Sequence, residues 1–168
     1  LIATLKEIDG DDLAALNRRV RDPRNSLDAD TLKSLKALYV AVNDKPELRE
    51  ILWVSMILHD YGKFLMGDHP QDGAELVKGL LQRLGYVPGS KKFNWIVALI
   101  REHVVLGGGL FFGEAAPQSF LKRIAAAGIT TPDDQAAFLK LLAILTVCDI
   151  GAVGTGDLRK DRIDQIIK

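Results

Sequence analysis

Leu32, Leu35, Leu38 and Val42 recur at steps of three and four residues, the spacing that lines one face of an α-helix with apolar side chains. The same reading divides the whole chain into helix-sized pieces. Residues 1–8 read as the end of a helix closed by Asp9-Gly10, and residues 11–21 as a helix that stops before Pro23. Asn43 to Lys45 interrupt the pattern, and Asp44, Pro46 and Glu47 restart it with proline in the first turn. The helix over 46–59 is apolar on nearly every side after Ile51, which predicts a path through the core.

Pro70-Gln71 open a further helix with Ala74, Val77, Leu80 or Leu81, and Leu84 facing inward, closed by Gly85. Another covers 93–105 and stops at Gly107-Gly108-Gly109, and Pro117 starts a short one with Phe120, Leu121 and Ile124 inward. Thr131-Pro132-Asp133-Asp134 combines a capping hydroxyl, an N1 proline and first-turn acids. The helix it opens carries Phe138, Leu142 and Leu145 on one face and reaches Asp149 before Gly151. Leu158, Ile163, Ile166 and Ile167 mark a last amphipathic helix. No segment alternates with β-branched residues, so no sheet is expected. The prediction is one all-α domain over 1–168, a compact bundle of about seven to eight helices.

Composition narrows the function. Hydrophobic residues make up 48% of the chain, enough for a sizeable core in 168 residues. Lys plus Arg and Asp plus Glu number 22 each, so no overall field favours nucleic acid or an anionic membrane. Short basic clusters such as Lys91-Lys92 and Arg159-Lys160 with Arg162 read as solvated faces. The single cysteine, Cys148, excludes an intramolecular disulfide and fits a reducing, cytoplasmic setting. No apolar run approaches the ~20 residues that span a bilayer. Residues 1–10 lack the features of a signal peptide, and Leu1 stands where a natural chain would carry Met, so an upstream segment is expected.

The chemistry lies in polar residues at interior positions. His59 and Asp60 end the most apolar helix, directly after Val54, Met56, Ile57 and Leu58. His103 continues the face of Ile96 and Ile100, and Asp149 continues that of Leu142 and Leu145. An isolated carboxylate there costs several kcal/mol unless it finds a partner. A divalent cation accepts imidazole nitrogen and carboxylate oxygen together, and such mixed sites suit Mn, Fe, Zn or Ni. His69, ten residues past His59, could complete that site or serve a second metal. Read singly, each residue has a plainer role: His59-Asp60 could cap a helix, Asp149 could pair with an arginine, and Lys63 could be a solvated loop cation. All three histidines nevertheless sit beside or opposite acids.

His59-Asp60-Tyr61-Gly62-Lys63 resembles the signature of the HD superfamily of metal-dependent phosphohydrolases. His69-Pro70 with Gly73-Ala74-Glu75 is similar to its second block, Arg101-Glu102-His103 to its third, and residues 145–150 to its last. Gly67-Asp68-His69 and Leu145-Thr146-Val147-Cys148-Asp149-Ile150 further resemble the uridylyl-removing region of bacterial nitrogen-sensing uridylyltransferases, a likeness that covers roughly residues 53–168. The resemblance implies an HD-type helical bundle. It implies a divalent metal (Mn, Fe, Zn, Ni or Mg) on His59, Asp60 and Asp149, with His69 and His103 near it or on a second ion. Asp60 and Lys63 would be the catalytic residues, and Lys63, Asp68 and Arg101 would meet the substrate. One departure stands out: the family pattern begins with an earlier histidine, and none occurs before His59. That ligand is expected just upstream of Leu1.

The expected activity is hydrolysis of a phosphate ester in a small phosphorylated compound, a nucleotide or a nucleotidylated protein. The alternative is an HD-fold sensor that binds metal or nucleotide without turnover. Neither a membrane nor nucleic acid is expected as partner. Specificity is expected from residues 86–92, 107–114 and 151–159, with the Leu110-Phe111-Phe112 stretch serving as a lid, a partner contact or a buried corner.

Overall fold

Helix starts fall where capping chemistry places them. In the computed structural model, which describes residues 1–65, 67–106, 115–152 and 158–167, the elements are α1 (Ile2–Asp9), α2 (Leu13–Asn17), a 3-10 turn (Pro23–Asn25), α3 (Ala29–Asn43), α4 (Pro46–Leu58), α5 (His69–Arg83), α6 (Lys91–Glu102), α7 (Ala115–Ala126), α8 (Pro132–Ala152) and α9 (Lys160–Ile167). Asp12 and Asp28 each accept a backbone N–H at 2.8 Å, from Ala15 and Thr31. Ser90 accepts from Phe93, and Thr131 from Asp134 at 3.1 Å. Each side-chain oxygen satisfies a helix donor that has no partner within the helix. Pro46, Pro70 and Pro132 occupy first turns, where a missing N–H costs nothing. Among the described residues there is no strand, as the sequence pattern predicts.

Helix α8 is the axis of the bundle. It is packed by α1, α3, α4, α6 and α9, which explains why its residues are apolar on every side. Leu141, Leu142, Leu145 and Val147 on α8 meet a core that includes Ile51, Leu52, Ile96, Leu99 and Ile100, all with no exposed surface. Trp95 and Phe138 cross edge to face at 5.9 Å between ring centroids. Each fully buried aliphatic side chain contributes about 1.5–3 kcal/mol.

Several expectations are corrected. Helix α2 ends at Asn17, because the chain turns into the 3-10 segment that Asp22 caps. Leu81 rather than Leu80 takes the fully buried position on α5, and Leu84 is exposed because it stands at the C-cap, past the last packed turn. Leu121 is exposed as well, leaving Phe120 and Ile124 to hold α7 to the core. Ile57 is 67% exposed, so α4 keeps one solvent face. Contrary to the expectation from apolar runs, α8 is long and apolar enough to cross a membrane by length and composition. Its side chains are buried by the five surrounding helices instead.

Helix α8 also runs past the expected stop. A Cβ on Gly151 would lie 2.8 Å from Thr4 Cγ2, so the glycine lets α1 approach the end of α8 closely. Arg19 locks this contact, donating to Gly151 O at 2.9 Å, to Thr4 Oγ1 at 3.2 Å and to Glu7 at 2.6 Å. Asp149 lies two residues before this clamp. Residues 107–114 and 153–157, on which two of the three expected specificity segments fall, lie outside the described residues.

Candidate metal centre

Three helix ends and one helix interior supply the polar residues. His59 is the C-cap of α4, His103 the C-cap of α6 and His69 the first residue of α5, while Asp149 comes from α8. Helix termination exposes backbone carbonyls, and both C-cap rings use one. His59 Nδ1 lies 3.1 Å from Met56 O, and His103 Nδ1 lies 2.7 Å from Ile100 O. A carbonyl only accepts, so each ring donates from Nδ1, and Nε2 is the atom turned toward the carboxylates. This outer hydrogen bond is the one that orients metal-binding histidines.

Both Nε2 atoms face carboxylates. His59 Nε2 lies 3.2 Å from Asp149 Oδ1 and 3.3 Å from Asp60 Oδ2, and His103 Nε2 lies 3.9 Å from Asp60 Oδ1. With a proton on His59 Nε2 the contact to Asp149 is a hydrogen bond, and a metal ion between the two atoms would take that proton's place. Asp60 Oδ1 is buried with no hydrogen-bond partner among protein atoms. Its other oxygen accepts from Lys63 Nζ at 2.6 Å.

Two ligand-capable groups result, His59 with Asp60 and Asp149, and Asp60 with His69 and His103. Within each group the ligating atoms lie within 4.8 Å of one another, and Asp60 belongs to both. The rings are close as well, His59 to His103 at 5.1 Å and His69 to His103 at 5.4 Å. This donor set, imidazole nitrogens of three histidines with the carboxylates of Asp60 and Asp149 and the unpartnered buried Asp60 Oδ1 shared between the groups, fits a divalent ion.

Electrostatics agrees. Burial pushes the His103 pKa below its ordinary 6.5, against the opposing pull of its Ile100 bond, and so favours the neutral ring. At Asp149 burial acts upward, but the hydrogen bond with His59 and the positive charge of Lys63 outweigh it and hold the carboxyl below 3.8.

The surroundings hold the ligands in place. Thr146 Oγ1 donates to His103 O at 3.2 Å, tying the end of α6 to α8. Glu102, 2% exposed, accepts from Arg123 Nε at 2.8 Å and Nη2 at 2.7 Å, tying α6 to α7. Gly62 is buried against α5, where a Cβ would sit 2.5 Å from Gly73 N. The sequence reading took Glu102 as part of a motif and missed this pair; a charged residue beside the buried His103 was the available sign.

The fold thus gathers His59, Asp60, His69, His103 and Asp149, with Lys63 bonded to Asp60. It does not bring Asp68 or Arg101 into either group. Asp68 stands exposed at the N-cap of α5, and Arg101 reaches Glu75 on α5 at 3.4 Å.

An all-helical bundle that ends its helices on a shared His–Asp cluster defines a class of metal-centred helical domain. The HD-domain family model matches residues 29–153, and the chain belongs to that family. Its relatives include a bifunctional uridylyltransferase/uridylyl-removing enzyme from Bradyrhizobium diazoefficiens, 30% identical over 112 residues, or 67% of this chain. A protein of the same description from another Bradyrhizobium strain is likewise 30% identical over 112 residues. The match covers 11% of each relative's length, so the chain corresponds to one segment of much larger proteins. No solved structure matches the chain. Family and relatives together support metal-dependent phosphohydrolase activity in general terms.

Proposed function

We propose that this domain hydrolyses a phosphate ester in a nucleotide or a nucleotidylated protein. The observation that carries the reading is the pair of histidines anchored through Nδ1 whose Nε2 atoms face Asp60 and Asp149, with Lys63 bonded to Asp60 at 2.6 Å. His59, Asp60 and Asp149 would hold the principal divalent ion, and Asp60 would share a second with His69 and His103. Such an ion supplies a nucleophile by lowering the pKa of water and polarises a phosphoryl oxygen.

The chain's own groups do the rest. Lys63, half exposed at the edge of the cluster, carries the positive charge that meets the phosphate and offsets charge developing on it. Asp60, shared between the two groups, would position the attacking water as a ligand of the ion. Asp149 and the two buried rings keep their positions through the Met56, Ile100 and Thr146 bonds, so little reorganisation accompanies reaction. Asp68 and Arg101 serve the substrate only at longer range. The relatives' description as uridylyl-removing enzymes supports a uridylyl-type ester as the first substrate to assay.

The test is hydrolysis of p-nitrophenyl phosphate, bis-p-nitrophenyl phosphate and uridine 5′-p-nitrophenyl phosphate with added Mn. At least one should turn over, Lys63→Ala should lower kcat by about 10²-fold, the scale of losing one stabilising donor, and chelation should abolish turnover. Full-rate hydrolysis after exhaustive chelation would sink the reading.

A further inference from the structure

The turn that follows Asp60 exposes two aromatic rings on a rigid base. Tyr61 N donates to Leu58 O at 3.0 Å, Lys63 N to Asp60 O at 2.9 Å and Leu65 N to Gly62 O at 3.0 Å. Gly62 is buried against the start of α5, where a Cβ on it would also lie 2.9 Å from Gly73 Cα. With its middle pinned, the turn throws its larger side chains outward. Phe64 is 85% exposed, the most exposed large apolar residue described, and Tyr61 and Leu65 are 40% and 47% exposed. The two rings stand 6.5 Å apart with their planes at 83°, forming an open corner.

Single exposed apolar residues need no explanation, but an aromatic pair fixed on the turn that carries the site's lysine is a different matter. Lys63 lies between the rings in sequence and ends on Asp60. The aromatic pair thus shares one short turn with the lysine that would meet the phosphate. Aromatic faces stack on every nucleobase, whose flat π-surface they match better than a sugar ring.

We propose that Tyr61 and Phe64 form a base-stacking subsite for the nucleoside part of the substrate, with Phe64 the main platform. The proposal rests on the phosphate-ester reading above and adds the group that distinguishes a nucleotide from other phosphate esters. The corner has no hydrogen-bonding frame of its own, so it discriminates nucleotide from sugar phosphate more strongly than one base from another. A stacked base changes affinity by about five- to a hundredfold.

The experiment compares binding of UMP and ribose 5-phosphate to the Mn-loaded full chain by calorimetry, in wild type, Phe64→Ala and Phe64→Trp. The expected result is UMP bound at least fivefold tighter than ribose 5-phosphate. Phe64→Ala should bring the two within twofold of each other without weakening ribose 5-phosphate, and Phe64→Trp should restore the preference. Phe64 is exposed, so these variants keep the fold, and their melting temperatures verify it. A UMP preference that survives Phe64→Ala, or equal loss for both ligands, overturns the subsite. Ribose 5-phosphate bound with no preference for UMP overturns the subsite alone and leaves the phosphate-ester reading standing. Failure of both ligands to bind overturns both, and leaves the aromatic corner as a surface for a protein partner.

Discussion

Replacing Gly62 by alanine isolates how tightly the metal-centre turn is held to α5. An added Cβ would lie 2.5 Å from Gly73 N and 2.9 Å from Gly73 Cα, and closer still to His69 O. All three atoms are backbone, so no side chain can rotate away; either the turn or the first two turns of α5 must shift. Overpacking of this kind costs typically 1–3 kcal/mol, and a backbone clash belongs at the upper end, about 3 kcal/mol. For a domain of this size that lowers the melting temperature by about 6–12 °C. Because His69 opens α5 and Asp60 precedes Gly62 by two residues, the shift also separates the ligands of the second group. Mn affinity should fall by at least tenfold. Gly79→Ala is the control: it lies within α5, its nearest contact for a new Cβ is Arg83 Nη1 at 3.9 Å, and it should stabilise by about 0.5–1 kcal/mol. The two variants are read by thermal melting with and without Mn. A Gly62→Ala protein that melts with wild type and binds Mn unchanged would refute the reasoning.

Arg123→Ala strands the buried Glu102 and should cost about 2–3 kcal/mol by urea denaturation, less than a fully buried pair because Arg123 is 42% exposed. Replacing the pair together by Met and Leu should recover most of that loss, and failure to recover would remove the ion pair as the cause. Burial holds the His103 pKa in the fold below 6.5, so the unfolded chain takes up the proton first as pH falls. Stability of the metal-free protein should therefore decline as pH drops through about 6.5, and His103→Gln should flatten that slope. Asp149, held below 3.8, adds a separate loss only as pH falls through its lower folded value. Cys148 is fully buried and its thiol is pushed up to about 12, so Ellman's reagent at pH 8 should find no thiol in the native protein and one after unfolding.

The helices that carry the site were legible because their caps and apolar periods are strong local features. Thr131-Pro132 marks a start that needs no tertiary information, whereas the Asp28 and Ser90 caps were not read from the sequence. His59 stood out because it ends the most apolar helix, His103 and Asp149 because each continues an apolar face, and the fold brings them together. What stayed hidden depends on distant packing. Leu84 and Leu121 fit the helical period, yet no element among the described residues covers them. The Arg19 clamp on Gly151 joins residues 132 apart, and the Glu102–Arg123 bond joins two helices across the intervening loop. The Nδ1 bonds that turn each Nε2 toward the carboxylates arise only once helix ends are fixed in space.

The central claim, that these residues form one metal centre with Asp60 shared between its two groups, is met most directly by Mn titration calorimetry on the chain and on Asp60→Ala, Asp149→Ala and Asp68→Ala. The expected result is stoichiometric binding in the wild type, loss of at least tenfold in affinity in the first two variants, and no change in Asp68→Ala, whose carboxylate lies outside both groups. Binding that survives both Asp60→Ala and Asp149→Ala undiminished would contradict the account.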